Sequence, residues 1–203
     1  MRIYRLIKRT RVEGPGLRAC LWVQGCSHGC RGCYAEHMWN PLGGYETGVS
    51  QIIKDLEPVM DEISGITLLG GEPFDQAGPL AELAKHVREK GKNVITFTGY
   101  LYEDILARGG KMAELLSYTD LLCDGPYAEE LHDDSRPMLG SSNQRYIFLT
   151  QALTEEDMMS FKDSYEIRVG SNGRIQVNGK GDLGGLMKCL NSMNGGKDGI
   201  TII

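Results

Sequence analysis

The sequence predicts an α/β protein, a partial and laterally open (βα) barrel with a C-terminal β-hairpin/helix addition. Three observations predict it. Apolar runs of strand length alternate with helical apolar periodicity from about Ala19 to Thr150, the pattern of right-handed βαβ crossovers and a mainly parallel sheet. At 203 residues the chain is too short for a complete eight-stranded barrel, which typically takes about 250. After Thr150 the alternation gives way to hairpin chemistry and a Gly-rich tail. Residues 1–150 are therefore read as the barrel domain, and residues 151–203 as an addition packed on it.

The elements follow in order. Arg2 to Lys8 is a short basic strand, and the turn Glu13-Gly14-Pro15-Gly16-Leu17-Arg18 leads into Ala19 to Gln24, which reads as the first buried strand of a parallel sheet. Ile52, Ile53, Leu56, Val59, Met60 and Ile63 recur at helical spacing, and Gly65 to Leu69 is the next strand. A second helix runs from about Pro79 to Lys90, with Gly91 as its stop, before a strand at Asn93 to Phe97. Helical stretches at Glu103 to Ala107 and Met112 to Tyr118 accompany strands at Asp120 to Cys123 and Arg145 to Thr150. Beyond them lie a helix capped by Thr154 and a hairpin from Tyr165 to Val177 that turns at Asn172-Gly173. In it Glu166, Arg168, Arg174 and Gln176 alternate with Ile167, Val169, Ile175 and Val177, so the apolar face is expected to dock on the barrel or a partner and the polar face to stay wet.

Composition narrows the function classes. Lys and Arg number 22 against 27 Asp and Glu, a net charge of −5, which argues against a general nucleic-acid binder. Hydrophobic residues at 41% and charged residues at 24% allow one sizeable core and exclude global disorder. No apolar run approaches the ~20 residues that span a bilayer, and Met1 to Val12 lacks a signal-peptide apolar block. The expectation is a cytoplasmic protein with no membrane partner. In that compartment six cysteines do not read as a disulfide framework, and three of them fall within eight residues.

Those three lie in Cys26-Ser27-His28-Gly29-Cys30-Arg31-Gly32-Cys33, directly after the first predicted buried strand. In α/β sheets this is the edge where ligands bind. Gly25, Gly29 and Gly32 let the loop curl, and three thiolates aimed at one point suit an iron–sulfur cluster or zinc. Structural zinc and ordinary clusters usually take four protein ligands, and Cys20 lies roughly 20 Å away along an extended strand. Three readings stay open: three thiolates with one open iron, a zinc knuckle or four-cysteine cluster completed by Cys123 or Cys189, and a fourth ligand from His28 or His37.

The cysteine spacing resembles the signature of the radical S-adenosylmethionine (SAM) superfamily. Within it the chain is most similar to the activases of anaerobic (class III) ribonucleoside-triphosphate reductases. The similar stretches are Glu13 to Arg18, Val23-Gln24-Gly25-Cys26, Gly32-Cys33-Tyr34, Trp39, Gly70-Gly71-Glu72-Pro73, Thr98-Gly99-Tyr100, Asp124-Gly125-Pro126 and Gly140-Ser141-Ser142-Asn143-Gln144. The triple-cysteine motif is specific for the superfamily, and the Gly-Ser-Ser-Asn-Gln stretch points to the activases. Many superfamily members carry an aromatic residue where Gly32 stands, and Gly32 agrees with this subgroup.

The resemblance implies a partial barrel of the radical SAM type with a [4Fe-4S] cluster on Cys26, Cys30 and Cys33, its fourth iron chelated by SAM. It implies that Gly70, Gly71, Glu72 and Pro73 meet the methionyl amino group, and that Gly32 and Tyr34 flank the adenine. The implied reaction is reductive cleavage of SAM to methionine and a 5′-deoxyadenosyl radical, which takes a hydrogen from a glycine Cα of a partner polypeptide. The implied partners are the glycyl-radical reductase and a flavodoxin-type electron donor. No side-chain acid or base is required, so no catalytic residue is assigned.

Read physically, two glycines at a strand end admit a ligand to the backbone, so Gly71→Val is expected to harm SAM binding more than iron loading. Met38 and Trp39 either pack over the cysteine loop or are simply buried. Turn and cap chemistry explains Asp124 to Tyr127 and Ser141 to Gln144 as well as a place at the barrel mouth does. Two other classes stay in view. One is a different radical SAM enzyme acting on a small molecule or peptide, raised by the C-terminal addition. The other is a non-enzymatic metal-binding module, whose fourth local cysteine is absent.

Overall fold

A computed structural model describes residues 1–171, 175–182 and 184–188. The Asn172-Gly173 turn, Arg174, Cys189 and most of the Gly-rich tail lie outside the described residues. β1 (Arg2–Thr10) and β2 (Arg18–Val23) pair antiparallel across a turn, and a two-residue strand, β3 (Tyr45–Glu46), pairs antiparallel with the other side of β1. In the turn the fully buried Arg18 guanidinium donates to Thr67 Oγ1, Pro15 O and Ile66 O, while Thr67 donates to Glu13 O. The Glu13 to Arg18 stretch is thus a bracket between strands, at the sheet edge opposite the cysteines.

α1 (Val49–Leu56) is shorter than its apolar periodicity. Pro58 has no N–H to continue the helical ladder, and the chain tightens into a 3₁₀ turn at Glu57–Val59. Val59, Met60 and Ile63 are nevertheless buried, as the periodicity requires. β4 (Gly65–Gly70), α2 (Ala77–Glu89) and β5 (Asn93–Phe97) follow, with Gly91 at φ 73° turning the chain out of α2. α3 (Tyr102–Arg108), α4 (Gly110–Ser117) and β6 (Leu121–Asp124) complete the alternating region.

The strand order is β3-β1-β2-β4-β5-β6-β7, where β7 is Arg145–Phe148. β2, β4, β5 and β6 are parallel, as the alternation predicts, but β7 runs antiparallel to β6. The reason lies in residues 125–144, which hold no α-helix, only a 3₁₀ turn at Glu129–Leu131 and a single bridge between His132 and Ser141. With no crossover helix to carry it to the far edge, the chain returns beside β6 in the opposite direction.

One sheet face packs Leu21, Ile66, Leu68, Val94 and Leu122 against Ile52, Leu80, Leu83 and Leu115 of the helices. On the other face Ile95, Leu121 and Cys123 are covered by Leu139, Leu153 and Met158. The last two flank or belong to α5 (Glu155–Ser160), which Thr154 caps in a reciprocal pair with Asp157. Such a cap contributes about 1 kcal/mol.

β8 (Tyr165–Val169) and β9 (Ile175–Gly179) form the expected antiparallel hairpin. Its orientation departs from expectation. The polar face meets the body: Glu166 accepts from the Arg11 N–H, Arg168 donates to Arg9 O, Arg5 donates to Gln176, and Asn178 donates to Thr10 and Glu13. On the apolar face Ile175 and Val177 pack with Leu186, flanked by Tyr165 and Ile167, while Val169 is exposed. Residues 184–188, a short helical stretch, cover this face, for which the sequence predicts docking on the barrel or a partner.

Candidate active site

The cysteine loop leaves the end of β2 at the carboxyl edge of the parallel strands. Its curl is set by positive φ at Gly25 (99°), Gly29 (61°) and Gly32 (73°), a conformation that costs glycine little. The segment entering it is zipped to residues 37–40: Gly25 N–H donates to Met38 O, Cys26 N–H to Trp39 O, and the Gln24 amide to His37 O and Asn40 O. Met38 is buried with Trp22 and Cys20 beneath the loop. Met38 and Trp39 therefore shape the loop through their backbones as well as filling space.

Cys26, Cys30 and Cys33 are free and half-buried. Burial pushes the Cys26 and Cys30 thiols up, while backbone donors from His28 and Gly29 on Cys26, and from Tyr127 on Cys30, pull them down. The Ala35 N–H donates to Cys33 Sγ at 3.3 Å. Among the described residues no three His, Cys, Asp or Glu side chains converge as a single metal ion would need. Three thiols on one loop with N–H groups aimed at sulfur fit an iron–sulfur cluster with three protein ligands. Cys20 and Cys123 are fully buried among apolar side chains, and burial drives both thiols well above their usual range.

The ends of β4 and β5 meet this loop. Gly71 N–H donates to Val23 O and Glu72 N–H to Gly25 O, each at 2.8 Å. A Cβ on Gly71 would overlap the Gly25 carbonyl, and one on Gly70 would lie 2.6 Å from Val23 N. These glycines are demanded first by the chain's own close packing. Pro73 is buried and opens a 3₁₀ turn, Pro73–Gln76. Gly32 stands against Glu129, whose Oε1 would be 3.0 Å from a Cβ there, and Arg31 pairs with Glu129 at 2.9 Å. Tyr34 is 75% exposed at the rim.

The motifs at Asp124 to Tyr127 and Gly140 to Gln144 latch onto each other. Gln144 accepts from Gly140 and Ser141 and donates to Gly125 O, while Asn143 donates to Pro126 O. Asp124 accepts from Arg145 and from the Tyr102 N–H. Together they hold the 125–132 segment beside the cysteine loop.

Sequence reading missed the surroundings of His28. Its ring is 19% exposed, with Nε2 3.1 Å from Glu72 Oε2 in a close polar contact not aligned as a hydrogen bond. Contact with Glu72 outweighs burial and raises the His28 pKa. His37 packs against Tyr4 at 4.9 Å between ring centroids, and burial lowers its pKa. The available signals for the His28 environment were Thr98-Gly99-Tyr100 and Asp75, which periodicity assigns only to a strand end.

Comparison with known proteins adds a separate line of support. The family described as a 4Fe-4S single cluster domain matches residues 12–147. The chain is 34% identical over 152 residues to the anaerobic ribonucleoside-triphosphate reductase-activating protein of Enterobacteria phage T4, covering 72% of this chain and 93% of that protein. Proteins of the same name are 33% identical in Pasteurella multocida (69% and 92% covered) and 34% identical in Escherichia coli strain K12 (66% and 89% covered).

Proposed function

The chain belongs to the family of anaerobic ribonucleoside-triphosphate reductase-activating proteins, and from that membership we propose that it is a radical SAM activase which generates a glycyl radical on an anaerobic ribonucleoside-triphosphate reductase. The observation that carries the proposal is the placement of three half-buried thiols on one glycine-curled loop against the strand-end segment Gly70 to Pro73.

Cys26, Cys30 and Cys33 would hold the [4Fe-4S] cluster. Gly70, Gly71, Glu72 and Pro73 would face the methionyl end of SAM, and Gly32 and Tyr34 its adenine. When bound, the cluster supplies the electron that cleaves SAM reductively. The chain's own part is to hold the ligands at a sheet edge that limits water, and to leave a way in for a glycine-bearing segment. β3 and β7 do not pair with each other among the described residues, which supports a partial barrel open at the side. Residues 1–150 would form it, and residues 151–203 would be the addition packed on it.

The reductase polypeptide is the proposed partner and a flavodoxin-type protein the proposed electron donor. No helix among the described residues is long and apolar enough to cross a membrane, and the cytoplasm is the proposed location. The test is anaerobic reconstitution with iron and sulfide, then dithionite reduction with SAM. 5′-Deoxyadenosine is the expected product, and a glycyl radical signal should follow when the reductase is added. Zinc without iron in the purified protein would overturn the reading.

A further inference from the structure

Glu72 is 1% exposed, yet its carboxylate is surrounded by the protein's own donors. Oε1 accepts from the Phe74 N–H and the Thr98 hydroxyl, and Oε2 accepts from the Gly99 N–H, each at 2.8 Å. The His28 ring then approaches Oε2 from the cysteine loop at 3.1 Å. That ring lies where a Gly99 side chain would be, since a Cβ on Gly99 would come within 2.6 Å of His28 Cδ2. Tyr100 closes the other side, its ring edge-on to His28 at 4.4 Å. The neighbouring Ser27 is held by hydrogen bonds: Asp75 accepts from its N–H at 2.9 Å and its hydroxyl at 3.0 Å, and also from the Tyr100 hydroxyl at 2.9 Å.

We infer that Ser27 and His28 form a clasp which fixes the cysteine loop on the ends of β4 and β5, with Glu72, Asp75 and Thr98-Gly99-Tyr100 as its receiving half and His28 and Glu72 as positioning residues. The inference rests on the activase reading for its consequence, not for its geometry. Ser27 and His28 stand between Cys26 and Cys30, so the clasp sets where the thiols sit relative to Gly70 to Pro73. It also assigns the Glu72 carboxylate to the loop. With the Gly71 and Glu72 N–H groups spent on Val23 O and Gly25 O, a ligand would meet that segment at its carbonyls. A buried carboxyl group saturated by fixed donors keeps its place without reorganising, and a glycine is required at position 99 to admit the imidazole.

The test uses full-length protein bearing His28→Ala, Thr98→Val or Thr98→Ser. In apo-protein, alkylation of Cys26, Cys30 and Cys33 by iodoacetamide should be several-fold faster in His28→Ala and Thr98→Val and unchanged in Thr98→Ser, which keeps the hydroxyl. After reconstitution, iron content should stay at the wild-type level. The SAM concentration needed to perturb the paramagnetic spectrum of the reduced cluster should rise about tenfold in the first two variants only. Wild-type alkylation and SAM response in His28→Ala would overturn the clasp, and so would loss of iron, because His28 would then serve the cluster itself. If wild-type protein assembles no cluster or its spectrum ignores SAM, the activase reading fails, and the alkylation rates still decide the clasp.

Discussion

Asn178 donates its side-chain amide to Glu13 Oε1 at 2.9 Å, joining the C-terminal hairpin to the turn that precedes β2. Glu13 is 6% exposed, and burial raises its pKa to about 7 against the opposing pull of the Asn178 and Gly179 donors. Glu166 nearby pushes it up and Arg5 pulls it down. A carboxyl raised on folding binds its proton more tightly in the native state. Its stabilising contribution is therefore full below the unfolded value of about 4.5 and is lost as pH rises to about 7. Glu13→Gln should leave stability near pH 5 almost unchanged and raise it at pH 8 by on the order of 2 kcal/mol. Urea melts at the two pH values check this, and an equal loss at both would refute it.

Gly71 was expected to serve a ligand, but its missing Cβ first makes room for the Gly25 carbonyl. Gly25 directly precedes Cys26, so Gly71→Val must displace the cysteine loop itself. Overpacking of this kind costs about 1–3 kcal/mol. Iron content after reconstitution should fall together with SAM binding. A variant with full iron content and selectively weakened SAM binding would restore the earlier expectation.

The cysteines should separate into two classes. Alanine at Cys26, Cys30 or Cys33 should abolish SAM cleavage and the iron–sulfur absorbance. Cys20→Ala and Cys123→Ala should keep the cluster, because both side chains are spent in apolar packing, and should lower stability by about 1 kcal/mol. Loss of the cluster in Cys123→Ala would give that residue a ligand's role.

Elements with a strong period were legible in the sequence, and relationships between elements were less so. β5 was read with its observed limits because Val94 to Phe97 is a short apolar run between Asn93 and a Thr-Gly turn. The direction of β7 was not, because it depends on the lack of a helix in residues 125–144. Alternation showed which hairpin residues share a face, yet period alone does not say which face meets the body, and Asn178 and Arg168 decided that by hydrogen bonding. The three cysteines were visible as local spacing. The pairing of His28 with Glu72 joins residues far apart in sequence and has no period to betray it.

The two halves of the C-terminal region should differ under truncation. Leu153 and Met158 are buried on the sheet face that carries Ile95, Leu121 and Cys123, and burying such side chains stabilises by about 2 kcal/mol each. Asp163 accepts from the Met138 N–H, which ties the segment after α5 to the 125–144 connection. The hairpin beyond carries its own small apolar cluster with Leu186 and meets the body mainly through polar groups. Ending the chain after Asp163 should therefore give a folded protein that loads iron, with a melting temperature a few degrees lower because Glu13 and Thr10 lose Asn178. Ending it after Thr150 removes α5 as well and uncovers Ile95, Leu121 and Leu139. A loss of about 4 kcal/mol is a large share of the 5–15 kcal/mol typical of a domain, so that protein should aggregate or melt far earlier. Thermal melts and iron content of the two truncations decide the matter. Equal stability would mean that α5 adds nothing to the core, and loss of folding in the chain that ends after Asp163 would make the hairpin integral to it.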